Sequence, residues 1–178
     1  MKTLGLRELP VTLELARQHL RVGDATHDDA LIASKLEMAV AAAEDMTGRI
    51  IRGRTVLFDV LLPVGDTILI PLPVHTAKLS ELSVSGVHIP RDKYSLLPGD
   101  YDDTLFVDGE YEGGQVTVRA VVGYDRNTIP PTIKAAILLI LGTLYDNESD
   151  QIVGRSVSEL SLTAEKLLAP WRVTPYGK

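Results

Sequence analysis

The spacing of apolar residues changes twice along this 178-residue chain, and these two changes limit how it can fold. Up to residue 54, apolar side chains recur at steps of three and four, which is typical of amphipathic helices. From Thr55 they alternate, as in a strand with one apolar face. After Pro130 and Pro131 the helical spacing returns. The chain therefore predicts helices, then strands, then helices.

Six strands are predicted in the middle segment, and no helical stretch separates them. Consecutive strands without intervening helices connect through hairpins or meanders, so we expect an antiparallel sheet. The predicted strands cover about residues 55–62, 67–70, 79–84, 93–96, 103–107 and 116–122. The predicted fold class is α+β, with N- and C-terminal helices forming a helical bundle and an antiparallel β region inserted between them. The corresponding segments are residues 1–54, 55–125 and 126–178.

Capping residues set the limits of the predicted helices. The helices cover about residues 13–20, 28–47, 131–145 and 162–169, and residues 146–158 form a polar loop. The predicted caps are Thr12, Thr26 and Ser161 at the N-terminal ends and Gly23 and Gly48 at the C-terminal ends.

The helix predicted at residues 131–145 is apolar over most of its surface. Ile133, Ile137 and Ile140 form one stripe, and leucines such as Leu141 widen it. Such a helix needs cover on nearly every side, and a neighbouring subunit is one source of that cover. We therefore take Ile137 and Leu141 as candidate subunit-interface residues.

The composition narrows the class of protein. The chain has 18 Lys and Arg against 24 Asp and Glu, a formal net charge of -6, which argues against a reader of nucleic acid. It has no cysteine, which excludes disulfide scaffolds, thiol nucleophiles and cysteine-based zinc sites. The N-terminus lacks the features of a secretory signal, and the longest apolar stretch is shorter than the ~18 residues of a membrane span. We expect a protein made and kept in the cytoplasm.

Patterns that carry catalysis or metal binding are missing from the sequence. The four histidines are scattered, without the spacing that places two imidazoles on one metal. Asp100, Asp102 and Asp103 resemble the start of a calcium loop, but apolar residues replace its later ligands. No nucleophile elbow, dinucleotide motif or phosphate-binding glycine loop occurs. We predict no catalytic residue, metal site or cofactor; a hydrolase that uses Asp100, Asp102 or His88 is the enzymatic alternative.

Two features near the ends of predicted helices have both a structural and a binding interpretation. Arg49, Arg52 and Arg54 follow the second helix, where they either complement its negative end or contact an acidic partner. Trp171, next to Arg172, either anchors the C-terminal segment or is an interface hot spot.

Seven short motifs occur along the chain, and their order is more specific than any one of them alone. They are Val-Thr-Leu-Glu-Leu-Ala-Arg-Gln-His-Leu-Arg-Val at 11–22, Asp-Asp-Ala-Leu-Ile at 28–32, Thr-Gly-Arg at 47–49, Ile-Pro-Leu-Pro at 70–73, Ala-Val-Val-Gly-Tyr at 120–124, Pro-Pro-Thr-Ile-Lys-Ala-Ala-Ile at 130–137 and Leu-Leu-Ala-Pro-Trp-Arg-Val at 167–173. In this order the chain resembles the phage head-tail connector (adaptor) family of long-tailed phages and prophages.

The resemblance implies a structural protein of the virion, at the head-tail interface, assembled in the host cytoplasm. In this family the subunits form a ring, twelve-fold on the portal, which joins the portal protein to a stopper or tail-completion protein. The ring continues the channel through which DNA leaves without specific binding, and no membrane, cofactor or catalytic residue is implied. The net negative charge agrees with such a channel. The alternative is another virion-assembly or scaffolding module without catalytic activity.

One segment departs from the family pattern. Relatives tend to carry Val-Gly-Gly-Ser where this chain has Val153, Gly154, Arg155 and Ser156. If this segment faces a partner, Arg155 changes which portal it fits. The complete set of predicted subunit and portal interface residues is Ile137, Leu141, Val153, Arg155, Trp171 and Arg172.

Overall fold

The computed structural model describes residues 2–23, 27–62, 65–72, 76–97, 103–111, 114–146 and 162–173. The chain divides into two compact units. The β unit comprises Met1–Glu8 and Arg52–Tyr124, and the helical unit comprises Leu9–Ile51 and Asp125–Lys178. The predicted α+β class is confirmed. The bundle arrangement of the helices and the division at residues 54/55 and 125/126 stay predictions.

The described part of the helical unit contains four α-helices. They are α1 (Leu13–Leu20), α2 (Asp29–Thr47), α3 (Pro131–Asp146) and α4 (Leu162–Leu168), and α4 continues into a 3-10 turn at Ala169–Trp171. All four were predicted at nearly these limits. The proposed caps Thr26 and Ser161 lie outside the described residues.

Two of the predicted caps form as expected. Thr12 caps α1, because its Oγ1 accepts a hydrogen bond from the Leu15 amide at 3.1 Å. Gly48 ends α2 in the left-handed conformation, with φ +68°, and its amide donates to the Glu44 carbonyl at 2.8 Å. At the end of α1 the prediction was wrong by two residues: the left-handed cap is Arg21, with φ +57°, and not Gly23.

The core of the helical unit is aliphatic. Its largest fully buried side chains are Ile32, Leu36, Ile51, Ile133, Ile137, Ile140, Leu141 and Leu168. Burial of one such side chain contributes about 1.5–3 kcal/mol, so this set stabilises the packing of the helices. The exposed small residues Ser34 and Ala41 lie on the opposite side of α2 from Leu36.

The described part of the β unit contains eight strands. They are β1 (Lys2–Leu6), β2 (Arg54–Leu62), β3 (Gly65–Leu72), β4 (Thr76–Val84), β5 (Val87–His88), β6 (Tyr94–Leu97), β7 (Asp103–Tyr111) and β8 (Gly114–Val122). They form one sheet in the order β1-β2-β8-β4-β5 and a second in the order β3-β7-β6, and every pair of neighbouring strands is antiparallel. The antiparallel arrangement was predicted; the separation into two sheets was not.

Alternation fixes the register of the larger sheet. Buried side chains lie opposite one another across β2, β8 and β4: Val56 pairs with Ala120, and Val118 lies between Phe58 and Leu82. A shift by one residue would expose this whole row, so the apolar pattern specifies the pairing. All six predicted strands are present, and β1 and β5 are additional.

Candidate functional site

Two of the sequence motifs, 122 residues apart, come together in the helical unit. The Val173 amide donates to the Thr47 carbonyl at 2.8 Å, and the Arg49 Nε donates to the Trp171 carbonyl at 2.6 Å. Thr47, Gly48 and Arg49, together with Trp171 and Val173, form what we call the tail clasp. Through it the end of α2 holds the segment that follows α4.

Each residue of the Thr-Gly-Arg motif has a distinct task in the tail clasp. Thr47 is buried, its hydroxyl donates to the Ala43 carbonyl at 2.7 Å, and the same oxygen accepts from the Arg49 amide at 3.2 Å. Gly48 allows the left-handed turn that reverses the chain. A Cβ at Gly48 would lie 3.8 Å from the Val173 Cβ, an ordinary contact distance, so backbone conformation and not space favours glycine.

The other side of the tail clasp contacts the first turn of α3. The Trp171 indole Nε1 donates to the Thr132 Oγ1 at 3.0 Å, while the ring stays partly exposed. The C-terminal segment therefore binds the end of α2 and the beginning of α3 at once. This geometry favours the anchor interpretation of Trp171, because its polar atoms are engaged within the chain.

Polar contacts also hold the opposite ends of α2 and α3. The Tyr145 hydroxyl donates to the Asp28 Oδ2 at 3.1 Å, and His27 Nε2 lies 3.3 Å from the same oxygen. The Lys35 ammonium donates to the Leu144 carbonyl. The end of α3 is thus fixed immediately before residues 147–161.

Arg17 pairs with Asp29 at the start of α2, across a distance of 3.2 Å from Nε to Oδ1. Both side chains are mostly covered, so this pair is less screened by solvent than a surface ion pair. It joins α1 to α2 on the same end of the unit where Asp28 contacts α3.

The predicted interface residues lie in different environments. Ile137 and Leu141 are completely buried within the helical unit, so the chain itself covers these two side chains. Their place in a subunit interface stays a prediction. Val153 and Arg155 lie outside the described residues. Arg172 is exposed and Trp171 is partly exposed, so these two of the described interface candidates are accessible to a partner.

The three arginines after α2 belong to different units of the chain. Arg49 belongs to the helical unit, whereas Arg52 and Arg54 belong to the β unit. Arg52 Nε donates to the Arg7 carbonyl at 2.9 Å, and Arg54 Nε donates to the Arg52 carbonyl at 3.3 Å. These hydrogen bonds fix backbone carbonyls near β1 and β2, so Arg52 and Arg54 have a structural role.

Of the residues named in the enzymatic alternative, His88 lies in the described part of the chain, where it is exposed on β5. Asp100 and Asp102 lie outside the described residues. Over the described ranges, no three His, Asp or Glu side chains are grouped so as to hold a metal ion. No helix in those ranges has both the length and the apolar character that crossing a membrane requires.

One surface was missed by the sequence analysis. All of β1 is exposed, and Leu4 and Leu6 have 44% and 58% of their surface accessible. These two leucines are exposed apolar side chains on a strand at the edge of a sheet. Their only signal in the sequence is a short apolar pair close to the N-terminus.

Comparisons with known proteins confirm the resemblance found in the sequence. Residues 10–80 match the family of phage gp6-like head-tail connector proteins. This range includes α1, α2 and the Thr-Gly-Arg part of the tail clasp. No curated protein sequence matches the chain significantly.

Solved structures of the same fold cover almost the whole chain. A chain in the structure of the neck of an empty GTA particle, computed with C6 symmetry, is 21% identical with a TM-score of 0.70, and the match covers 98% of this chain and 96% of that one. A chain in the virion of a native gene transfer agent (GTA) particle is 19% identical with a TM-score of 0.71 and the same coverage. A chain in the neck of a native GTA particle, computed with C12 symmetry, is 19% identical with a TM-score of 0.63 and the same coverage.

Proposed function

We propose that this chain, whose residues 10–80 match the phage gp6-like head-tail connector family, is a structural subunit of a head-tail connector ring. In this role it joins the portal vertex of a capsid to the tail and continues the channel through which DNA leaves. The family match carries the proposal, because it covers α1 and α2, which form much of the helical unit. The virion neck is the corresponding location, with assembly in the host cytoplasm.

The solved structures support the ring. The matched chains come from particle necks computed with C6 and C12 symmetry, and one match spans 98% of this chain. A subunit repeated around such an axis uses two different surfaces, one toward each neighbour. We infer that the present chain forms a ring of the same kind, twelve-fold on a portal protein.

A purely structural role fits the chemistry of the chain. Hydrogen bonds within the chain engage polar groups of Thr47, Arg49 and Trp171, and these bonds stiffen the helical unit. The formal net charge of -6 disfavours adhesion to DNA passing through the ring. We propose that the protein has no catalytic activity and needs no cofactor.

We further propose that the tail clasp presents Arg172 to a partner, either the portal protein or a stopper. Arg172 is exposed, while its neighbours Trp171 and Val173 are held by hydrogen bonds to Arg49 and Thr47. Because hydrogen bonds already hold the backbone on both sides of Arg172, binding orders mainly its side chain, and the guanidinium geometry suits an interface with carboxylates. We also propose Val153 and Arg155 as residues that contact the partner.

Co-sedimentation with the purified portal protein tests this role. We expect the wild-type protein to sediment with the portal and Arg172→Ala to bind about tenfold more weakly. Lys166→Ala is the matched control, since Lys166 is also an exposed cation, on α4. Equal binding by both variants would show that Arg172 is not part of the interface. Failure of the wild-type protein to bind would favour the alternative role as another assembly or scaffolding module, which electron microscopy of intact particles would locate.

A further inference from the structure

The five-stranded sheet has two open edges on opposite sides. At one edge, β1 pairs with β2 and with no other described strand. At the other edge, β5 pairs with β4 only at Ser83 and Val84, so no described strand covers residues 76–81 of β4. An open edge offers unpaired amide and carbonyl groups to another chain.

The two open edges are the two ends of the same rows of paired residues. The pairing forms rows of residues that run from β1 through β2 and β8 to β4. They are Lys2-Leu57-Arg119-Glu81, Thr3-Val56-Ala120-Leu79, Gly5-Thr55-Val121-Lys78 and Leu6-Arg54-Val122-Thr76. The whole of β1 thus corresponds to the part of β4 that β5 leaves uncovered.

The charges at the two ends of one row are opposite. Lys2 is exposed at one edge, and Glu81 is exposed at the other, 3.7 Å from Arg119 of the adjacent strand. If a second copy continued the sheet, its Lys2 would lie next to Glu81 of the first copy. Opposite charges in directly facing positions stabilise antiparallel pairing.

The strand directions fit the same arrangement. Because every pair in the sheet is antiparallel, β1 and β4 run in opposite directions. Neighbours in a twelve-fold ring differ by a rotation of about 30°, which leaves strand directions nearly unchanged. The β1 strand of one copy therefore meets β4 of the next as another antiparallel neighbour.

We propose that β1 of one subunit pairs with residues 76–81 of β4 in the adjacent subunit, so that the sheets join around the ring. This inference rests on the ring role proposed above and names the second copy of the chain as the partner. It also gives Leu4 and Leu6, which the chain leaves exposed, a neighbouring surface to contact. The two edges are different surfaces on opposite sides, as a closed ring requires.

Disulfide cross-linking tests the pairing, because the chain has no native cysteine. In the variant Lys2→Cys/Glu81→Cys the two thiols of one copy are separated by three strand spacings, about 14 Å. A disulfide requires Cα atoms within about 7 Å, so oxidation links only different copies. We expect a ladder of dimers, trimers and larger species after oxidation, with and without added portal protein.

Matched variants separate this outcome from random collision. The single variants Lys2→Cys and Glu81→Cys have one thiol in each subunit, so oxidation links them into dimers at most. Lys2→Cys/Ser95→Cys places the second thiol at an exposed position of the smaller sheet, and we expect at least tenfold less trimer from it. A ladder of equal yield from this control, or no ladder from Lys2→Cys/Glu81→Cys, would overturn the pairing. Light scattering on the same samples tests the ring itself: ring-sized particles without a ladder disprove the edge contact alone, whereas monomers throughout disprove the ring as well.

Discussion

The amide of Val173 donates a hydrogen bond to the carbonyl of Thr47 at 2.8 Å, and this contact joins the end of the chain to the end of α2. The carbonyls in the last turn of a helix have no partner within the helix. In this protein the C-terminal segment supplies one. The Thr-Gly-Arg motif thus acts both as a helix terminus and as a binding site for the segment after α4.

Removal of the Thr47 hydroxyl should weaken the tail clasp. Thr47→Val keeps the shape of the side chain, but the Arg49 amide loses the acceptor that it now has at 3.2 Å. We expect the free energy of unfolding of the helical unit to fall by about 1–2 kcal/mol, measured by urea denaturation followed by circular dichroism. Thr47→Ser retains the hydroxyl and should lose clearly less. Equal losses in the two variants would contradict the role of the hydrogen bond.

Gly48→Ala should destabilise through backbone conformation. The left-handed conformation, with φ +68°, costs an alanine about 1 kcal/mol, and a Cβ meets no close contact. Gly23→Ala is a matched control, because Gly23 has φ +65° and nothing lies within 4 Å of its added Cβ. We expect similar losses from both in urea denaturation. A much larger loss at Gly48 would mean that contact with Val173 and not backbone strain limits this position.

Trp171 and Thr132 should be energetically coupled. Trp171→Phe removes the indole donor, and Thr132→Val removes its acceptor, which is now 3.0 Å away. A double-mutant cycle should give a coupling energy of about 0.5–1 kcal/mol, since the site is partly exposed. Additive effects of the two substitutions would show that the hydrogen bond does not hold the C-terminal segment.

Ile137 should behave as a core residue. It is fully buried, so Ile137→Ala leaves a cavity and should lower the free energy of unfolding by about 2–5 kcal/mol. Leu138→Ala, at a partly exposed position of the same helix, should lose less. If Ile137→Ala left stability unchanged but abolished subunit association, the original interface prediction for this residue would be correct.

The sequence predicts those parts of the fold that are marked by patterns within a few neighbouring residues. Alternating apolar residues such as Val116 and Val118 identify β8, and Thr12 and Gly48 mark helix ends, because each signal is contained within a few residues. By contrast, β1 is exposed on both faces, and its apolar pair Leu4 and Leu6 is too short a pattern to identify a strand. Its assignment depends on pairing with β2, about fifty residues away, which no local pattern contains.

The candidate site illustrates the same limit. The motifs around Thr47 and Trp171 are each visible in the sequence, but their contact depends on how α2, α3 and α4 pack. The wide apolar face of α3 predicted a covered helix and left open whether a neighbouring subunit supplies part of the cover, and the chain itself buries Ile137 and Leu141. Sequence periodicity indicates that a face is covered and does not identify which element covers it.

The mass of the purified protein in solution, with and without portal protein, tests the central claim most directly. One subunit has a mass of 19.4 kDa, so a twelve-fold ring is easily distinguished from a monomer by light scattering on a sizing column. The connector role predicts a ring-sized species, either alone or bound to the portal. A protein that stays monomeric at every concentration and also fails to bind the portal would contradict it.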